Sequence, residues 1–181
     1  ITVYSTATNA TVTVNGGSIT VADDSKKAYI FAEGATVTGV DQIGQIVAMI
    51  GEAGYETLTE AIADAKEGQT VKMVYNVTLS EILVINKAIT LDGNGKTLTS
   101  TAKRAINVSG ADGVTIKNLT IDAKGERAIN VIQNATNVTI DNVNATAANY
   151  TVNLAGSAPN AVVAIKKSTL NGLCTVNVSA A

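Results

Sequence analysis

The sequence predicts an all-β fold: a right-handed parallel β-helix, plugged at its N-terminal end by one short helix and preceded by a β-hairpin-rich segment. Three observations lead there. The triplets Ile106-Asn107-Val108, Ile129-Asn130-Val131, Val152-Asn153-Leu154 and Val176-Asn177-Val178 recur at steps of 23, 23 and 24 residues. A second set, Ile89-Thr90-Leu91, Val114-Thr115-Ile116, Val138-Thr139-Ile140 and Val163-Ala164-Ile165, recurs at steps of 25, 24 and 25. Within each triplet the apolar members lie two apart, so they share one face of a strand. A fixed period of this length means stacked units around one elongated core. Leucine-rich repeats have a similar period, but they need a dense leucine signature and a single strand per repeat. Here each repeat holds two or three strand runs and few leucines. The right hand follows from the strong preference of parallel crossovers.

The elements follow in order. Residues 1–45 form a β-rich segment and residues 46–181 the solenoid. Residues 11–14 and 19–21 alternate apolar and polar positions around Asn15-Gly16-Gly17, which signals a hairpin. The alternative is a tight corner within another rung. Asp23-Asp24-Ser25-Lys26-Lys27 is a polar loop, and residues 28–31 and 35–40 read as strands with Gly34 turning between them. Residues 46–50 form a short strand before a turn at Gly51-Glu52-Ala53-Gly54. A helix is predicted at about 57–67. Thr57 is its N-cap and Glu60 completes a capping box. Leu58, Ala61, Ile62 and Ala65 make its apolar face, and Gly68 stops it. It is placed to cover the first rung.

From Val71 onward the period is that of strands. In the clearest repeat residues 105–108 are a strand, 109–113 a loop, 114–116 a strand, Asn118 a corner and 119–121 a third strand, with Gly125 leading back. The next repeat matches it. One rung buries about six aliphatic side chains at roughly 1.5–3 kcal/mol each. Ordering its backbone costs about 1–2 kcal/mol per residue, so a rung holds only against neighbours. An uncovered rung exposes unpaired N–H and C=O groups. The C-terminal rung has no cap in the sequence, which predicts truncation there or end-to-end self-association.

Composition narrows the function. Apolar residues make up 46% and aromatics 3%, a core of small and β-branched side chains suited to layered strands. The net charge of −2 gives no pull toward nucleic acid or an anionic membrane. There is no histidine, so Ser-His-Asp and Cys-His sites are excluded. The single cysteine, Cys174, sits in a strand pattern that predicts a buried, inert thiol. No run of about 18 apolar residues would span a membrane. Ile1 opens without a basic leader and the chain stops in mid-pattern, so both ends read as cuts in a longer protein or in a precursor whose leader has been removed.

The run Tyr55-Glu56-Thr57-Leu58-Thr59-Glu60-Ala61-Ile62, then Gly68-Gln69-Thr70-Val71, then residues 89–98 (Ile89-Thr90-Leu91-Asp92-Gly93-Asn94-Gly95-Lys96-Thr97-Leu98) resembles the N-terminal cap and first coils of pectin-lyase-like right-handed β-helix proteins. It is especially similar to repeats in large surface or secreted proteins of gut bacteria described as adhesins. The resemblance covers about residues 46–181. It implies an extracellular or cell-surface bacterial setting. The family also includes lyases, hydrolases and tail-spike proteins, so activity does not follow from it.

Stacked rungs turn single residues into columns. Asn107, Asn130, Asn153 and Asn177 form an amide column on the outer face, which either hydrogen-bonds along itself or binds sugar hydroxyls. Arg104, Arg127 and Tyr150 form a second column at the entry to the same strands. Its like charges need a neutralising partner such as Glu126, or else serve to hold a glycan carboxylate. The glycan-binding candidates are therefore Arg104, Asn107, Arg127, Asn130, Tyr150 and Asn153. Asp92, Lys117, Asp141 and Lys166 alternate in sign and read as a ladder of ion pairs that fixes register. The lysine layer argues against a shared Ca²⁺ site. Asn118 and Asn142 form a corner ladder.

The expected function is a non-catalytic extracellular module for adhesion or glycan binding, with a polysaccharide or host-surface glycan as partner. No catalytic residue, metal or cofactor is assigned. A structural spacer or stalk is the alternative. A Ca²⁺-dependent polysaccharide lyase is the second alternative: the family resemblance would require a basic residue such as Arg127 near Asp122 and Asp141.

Overall fold

The structure, a computed structural model, describes residues 11–13, 36–38 and 46–179. β1 (Thr11–Thr13) and β2 (Thr36–Thr38) form a two-stranded parallel sheet of their own. The cap follows: β3 (Ala48–Ile50), β4 (Ala53–Tyr55) and α1 (Leu58–Asp64). The first coils contain β5 (Thr70–Met73), β6 (Val77–Leu79), β7 (Leu83–Ile85), β8 (Thr90–Asp92) and β9 (Thr97–Ser100). The regular coils contain β10 (Arg104–Ser109), β11 (Thr115–Ala123), β12 (Arg127–Ile132), β13 (Val138–Thr146) and β14 (Tyr150–Leu154). The last coil contains β15 (Val163–Lys166), β16 (Thr169–Asn171) and β17 (Cys174–Val178).

These strands wind into a parallel β-solenoid of about five turns. Three faces run along it. One is the sheet β7-β10-β12-β14-β17. The second stacks β5, β8, the first half of β11, the first half of β13, and β15. The third stacks β6, β9, the second halves of β11 and β13, and β16. The register is the one that the repeat demands: Ile106, Ile129, Val152 and Val176 pair in sequence, as do Leu91, Ile116, Ile140 and Ile165. The central members of both columns are fully buried. Aliphatic side chains that are about two dozen residues apart therefore sit over one another in a single core.

Two nine-residue strands turn a corner without ending. Asn118 and Asn142 have φ of 51° and 55°, left-handed geometry that asparagine tolerates better than other side-chain-bearing residues. The kink resets the alternation: Ile116 points in, Lys117 and Asn118 stay at the surface, and Leu119 points in again. At another corner the coils approach so closely that a Cβ on Gly125 would lie 2.2 Å from the Ala102 carbonyl oxygen, so only glycine fits.

The cap differs from expectation in two ways. The helix is shorter than 57–67. Thr57 is its N-cap, with its hydroxyl oxygen accepting the Glu60 N–H at 3.1 Å, but it ends at Ala65 rather than Gly68. The physical reason lies in the next coil. Lys87 Nζ donates to the Ala63 and Ala65 carbonyls, both at 2.6 Å, which satisfies the last turn. Gly68, at φ 79°, then serves the following turn and bonds the Ala88 carbonyl. Second, the turn expected at 51–54 is narrower. Gly51-Glu52 alone turns the chain, and β4 returns antiparallel to β3. β3 also pairs antiparallel with β5, so this hairpin covers the edge of the first parallel rung. Leu58, Ala61 and Ile62 close the core beneath it.

Among the described residues no element covers the last coil in this way. Ile165, Val176 and Val178 stand in core columns of the last coil yet are exposed. For residues 1–45, the hairpin partner 19–21 and the strand 28–31 lie outside the described residues. Within the described residues β1 pairs with β2 in parallel, with Val12 beside Val37.

Candidate functional site

The first face carries the predicted amide column. Asn107, Asn130, Asn153 and Asn177 are in register, and the same column begins at the exposed Val84. Their neighbours Ile106, Val108, Ile129 and Val131 are buried, and β12 is buried without a break from Ala128 to Val131. Each amide donates to the one below: Asn130 Nδ2 to Asn107 Oδ1 at 3.0 Å, Asn153 Nδ2 to Asn130 Oδ1 at 2.7 Å, and Asn177 Nδ2 to Asn153 Oδ1 at 2.7 Å. Asn130 and Asn153 are only 2% exposed. Each of these two amides donates one bond and accepts one along the solenoid axis, and a ligand in solvent meets almost none of their surface.

The Arg104, Arg127 and Tyr150 column is also in register and continues to Cys174. The Arg127 guanidinium carbon lies 5.6 Å from the centre of the Tyr150 ring, a cation–π contact contributing about 0.5–1 kcal/mol at an exposed site. Glu126 does not neutralise the arginines; its carboxylate pairs with Lys103 Nζ at 3.2 Å. The Nε atoms of Arg104 and Arg127 are buried without a hydrogen-bond partner. The arginine stems therefore pack against the face and the ring takes up part of the charge. Cys174, expected to be buried, is half-exposed, on β17 at the edge of its sheet among the described residues. Its thiol donates to the Val176 carbonyl at 3.2 Å.

The second face carries the charged column. Asp92, Lys117, Asp141 and Lys166 are in register, and Lys117 Nζ lies 3.4 Å from Asp92 Oδ2. Asp92 also accepts the Asn94 N–H at 2.9 Å and the Asn118 amide at 3.1 Å. Burial alone would raise its pKa. The Asn94 and Asn118 hydrogen bonds and the Lys117 charge outweigh that and hold the carboxyl below its ordinary value. Asn142 Nδ2 donates to Asn118 Oδ1 at 2.9 Å, so the corner amides form a ladder anchored on Asp92. Asp122 pairs with Lys124 at 2.7 Å. Among the described residues no three Asp, Glu, Cys or His side chains stand close enough together to hold a metal ion.

The sequence reading missed a groove of about 460 Å³ along this corner, lined by Asn94, Asn118, Thr120, Asn142, Lys167 and Thr169. Its cause is the left-handed backbone repeated at Asn94, Asn118, Asn142 and Lys167, which bends the outer surface inward between the second and third faces. The Asn118 and Asn142 spacing is the signal for it, since asparagine repeated at a corner marks left-handed backbone there.

No helix among the described residues is long and apolar enough to cross a membrane. Comparison with protein-family models, curated proteins and solved structures finds no match for the chain.

Proposed function

We propose that this chain is a non-catalytic spacer: a stiff β-solenoid module that holds distance and register within an extracellular or cell-surface protein. The observation that carries the reading is the amide column. Asn130 and Asn153 bond to their neighbours along the axis and are 2% exposed. The side chains best suited to sugar hydroxyls are thus engaged in holding coil to coil. The Asp92–Lys117 pair and the Asn118–Asn142 bond act along the same axis. The surface setting rests on the likeness of residues 55–62, 68–71 and 89–98 to the cap and first coils of pectin-lyase-like surface proteins and adhesins.

Glycan binding is the second reading, favoured by the partly exposed Arg127–Tyr150 pair beside the amide column. A glycan array separates the two. The intact chain and the Arg127→Ala/Asn130→Ala double variant are compared, with thermal unfolding of each as the fold control. The spacer reading expects no sugar that distinguishes them. A sugar held by the intact chain and released by a folded double variant overturns it in favour of adhesion. Unsaturated product absorbing in the ultraviolet, formed from a polysaccharide with added Ca²⁺, replaces both readings with a lyase.

A further inference from the structure

The corner between the second and third faces differs from the first face in access. Asn130 and Asn153 on the first face are 2% exposed. At the corner Asn94, Asn142 and Asn144 are exposed and Thr120 is half-buried. Asn142 Nδ2 donates to Asn118 Oδ1. Among the described residues Asn142 Oδ1 takes no donor, and the side chains of Asn144 and Thr120 make no hydrogen bond.

These groups line the groove of about 460 Å³, a volume within the range of ligand sites, about 300–1,000 Å³. One wall is the left-handed corner column of Asn94, Asn118 and Asn142. The other is a column in register on the third face, Thr120, Asn144 and Thr169. Leu119 and Val143 lie between the walls and are buried in the core. The lining comes from four successive coils, so the groove runs along the solenoid axis. Three steps of roughly 4.8 Å give it a length of about 14 Å.

The lining narrows the occupant. It holds no acidic and no aromatic residue, and its single charge, Lys167, sits at one end. An aromatic ligand finds nothing to stack on, and a polyanion finds one cation. A bound peptide strand draws its affinity from a free sheet edge and its specificity from side-chain pockets. No such edge lies in the groove, because β11 and β13 are paired on both sides. What remains is a straight row of hydroxyl and amide groups, each offering a donor and an acceptor. The hydroxyls of a straight, uncharged sugar chain match that row. We infer that the corner groove binds an extended neutral β-linked oligosaccharide lying along the solenoid axis. The site is separate from the Arg127–Tyr150 pair on the first face. It goes beyond the spacer reading and does not depend on it.

Titration of the ¹⁵N-labelled full chain with cellohexaose, followed by NMR, tests this. Hydrogen bonding without stacking is weak, so a Kd of about 1 mM is expected. The side-chain amide signals of Asn118, Asn142 and Asn144 and the backbone signal of Thr120 should shift together. Thr120→Val/Asn144→Ala removes two polar side chains from one wall and leaves the Asn118–Asn142 bond in place. With thermal unfolding as the fold control, it should weaken binding about tenfold. Arg127→Ala should bind as the intact chain does. Maltohexaose, which coils, and hexagalacturonate, which is charged, should bind more weakly than cellohexaose. No shift at about 10 mM cellohexaose overturns the inference, as do shifts centred on Arg127 and Tyr150 or a folded double variant that binds equally well. Equal binding of maltohexaose overturns the extended shape, and tighter binding of hexagalacturonate overturns the neutral class. An uncharged Ser-Gly hexapeptide that shifts the same signals assigns the groove to peptide instead. A glycan-array difference caused by Arg127→Ala/Asn130→Ala defeats the spacer reading and leaves this titration unchanged, so the two failures are distinguishable.

Discussion

Ile140 and Ile165 occupy the same column one rung apart, yet the first is fully enclosed and the second is 38% exposed. Val152 and Val176 repeat the contrast on the first face, at 0% and 39%. Neither residue type nor local strand pattern differs within these pairs. What differs is the presence of a further coil above. In a solenoid burial belongs to the neighbour as much as to the residue, so stability is close to a sum of rung and interface terms.

The sharpest way to break that comparison is to delete the same atoms at both positions. Ile140→Ala should cost about 2–5 kcal/mol, as buried truncations do. Ile165→Ala should cost about 1 kcal/mol or less, because much of its surface is already in water. Urea unfolding measured at low protein concentration reports both. Equal losses would mean that Ile165 is as enclosed in solution as Ile140.

Much of the solenoid was legible because its information is periodic. The Ile106 and Leu91 columns follow from spacing alone, and Thr57 with Glu60 marks the helix start by chemistry that is local. The end of α1 was not legible, since it is set by Lys87 from a coil more than twenty residues away. The β3/β4 hairpin was hidden too. Gly51-Glu52-Ala53-Gly54 reads as a turn, yet Gly54 is there for packing: a Cβ would meet Ile46 Cδ1 at 2.9 Å. The candidate site was legible in register but not in access. A period of two sets Asn130 and Asn153 apart from their apolar neighbours, but it does not reveal that Ala128 to Val131 are all buried. The corner groove depends on left-handed backbone at Asn94, Asn118, Asn142 and Lys167, which identity at a single asparagine does not reveal.

The amide column offers a gentler comparison between middle and end. Asn130→Ala leaves two partners unpaired, Asn107 Oδ1 and Asn153 Nδ2, and should cost about 1–3 kcal/mol. Asn177→Ala leaves only Asn153 Oδ1 without its donor in the column, and should cost about 0.5–1.5 kcal/mol. Paired thermal unfolding curves decide it. A cost at Asn130 no greater than at Asn177 would mean that the ladder adds nothing beyond packing.

The smallest expected effect comes from charge at the corner of the central coils. Asp92 is held below the ordinary carboxylate range by its hydrogen bonds and by Lys117. A depressed folded pKa means that the contribution is present above the unfolded value of about 3.9 and is lost as pH falls through the folded value. Asp92→Asn keeps an oxygen to accept from Asn94 and Asn118 but loses the pairing with Lys117. At neutral pH the variant should be less stable by about 1 kcal/mol or less, as partly exposed pairs are. The gap should close as pH drops below about 4, because protonation makes the native residue neutral as well. A gap that stays constant down to the lowest pH at which the chain remains folded would assign the role of Asp92 to hydrogen-bond geometry and none of it to charge. The alternating column would then set register through backbone pairing alone.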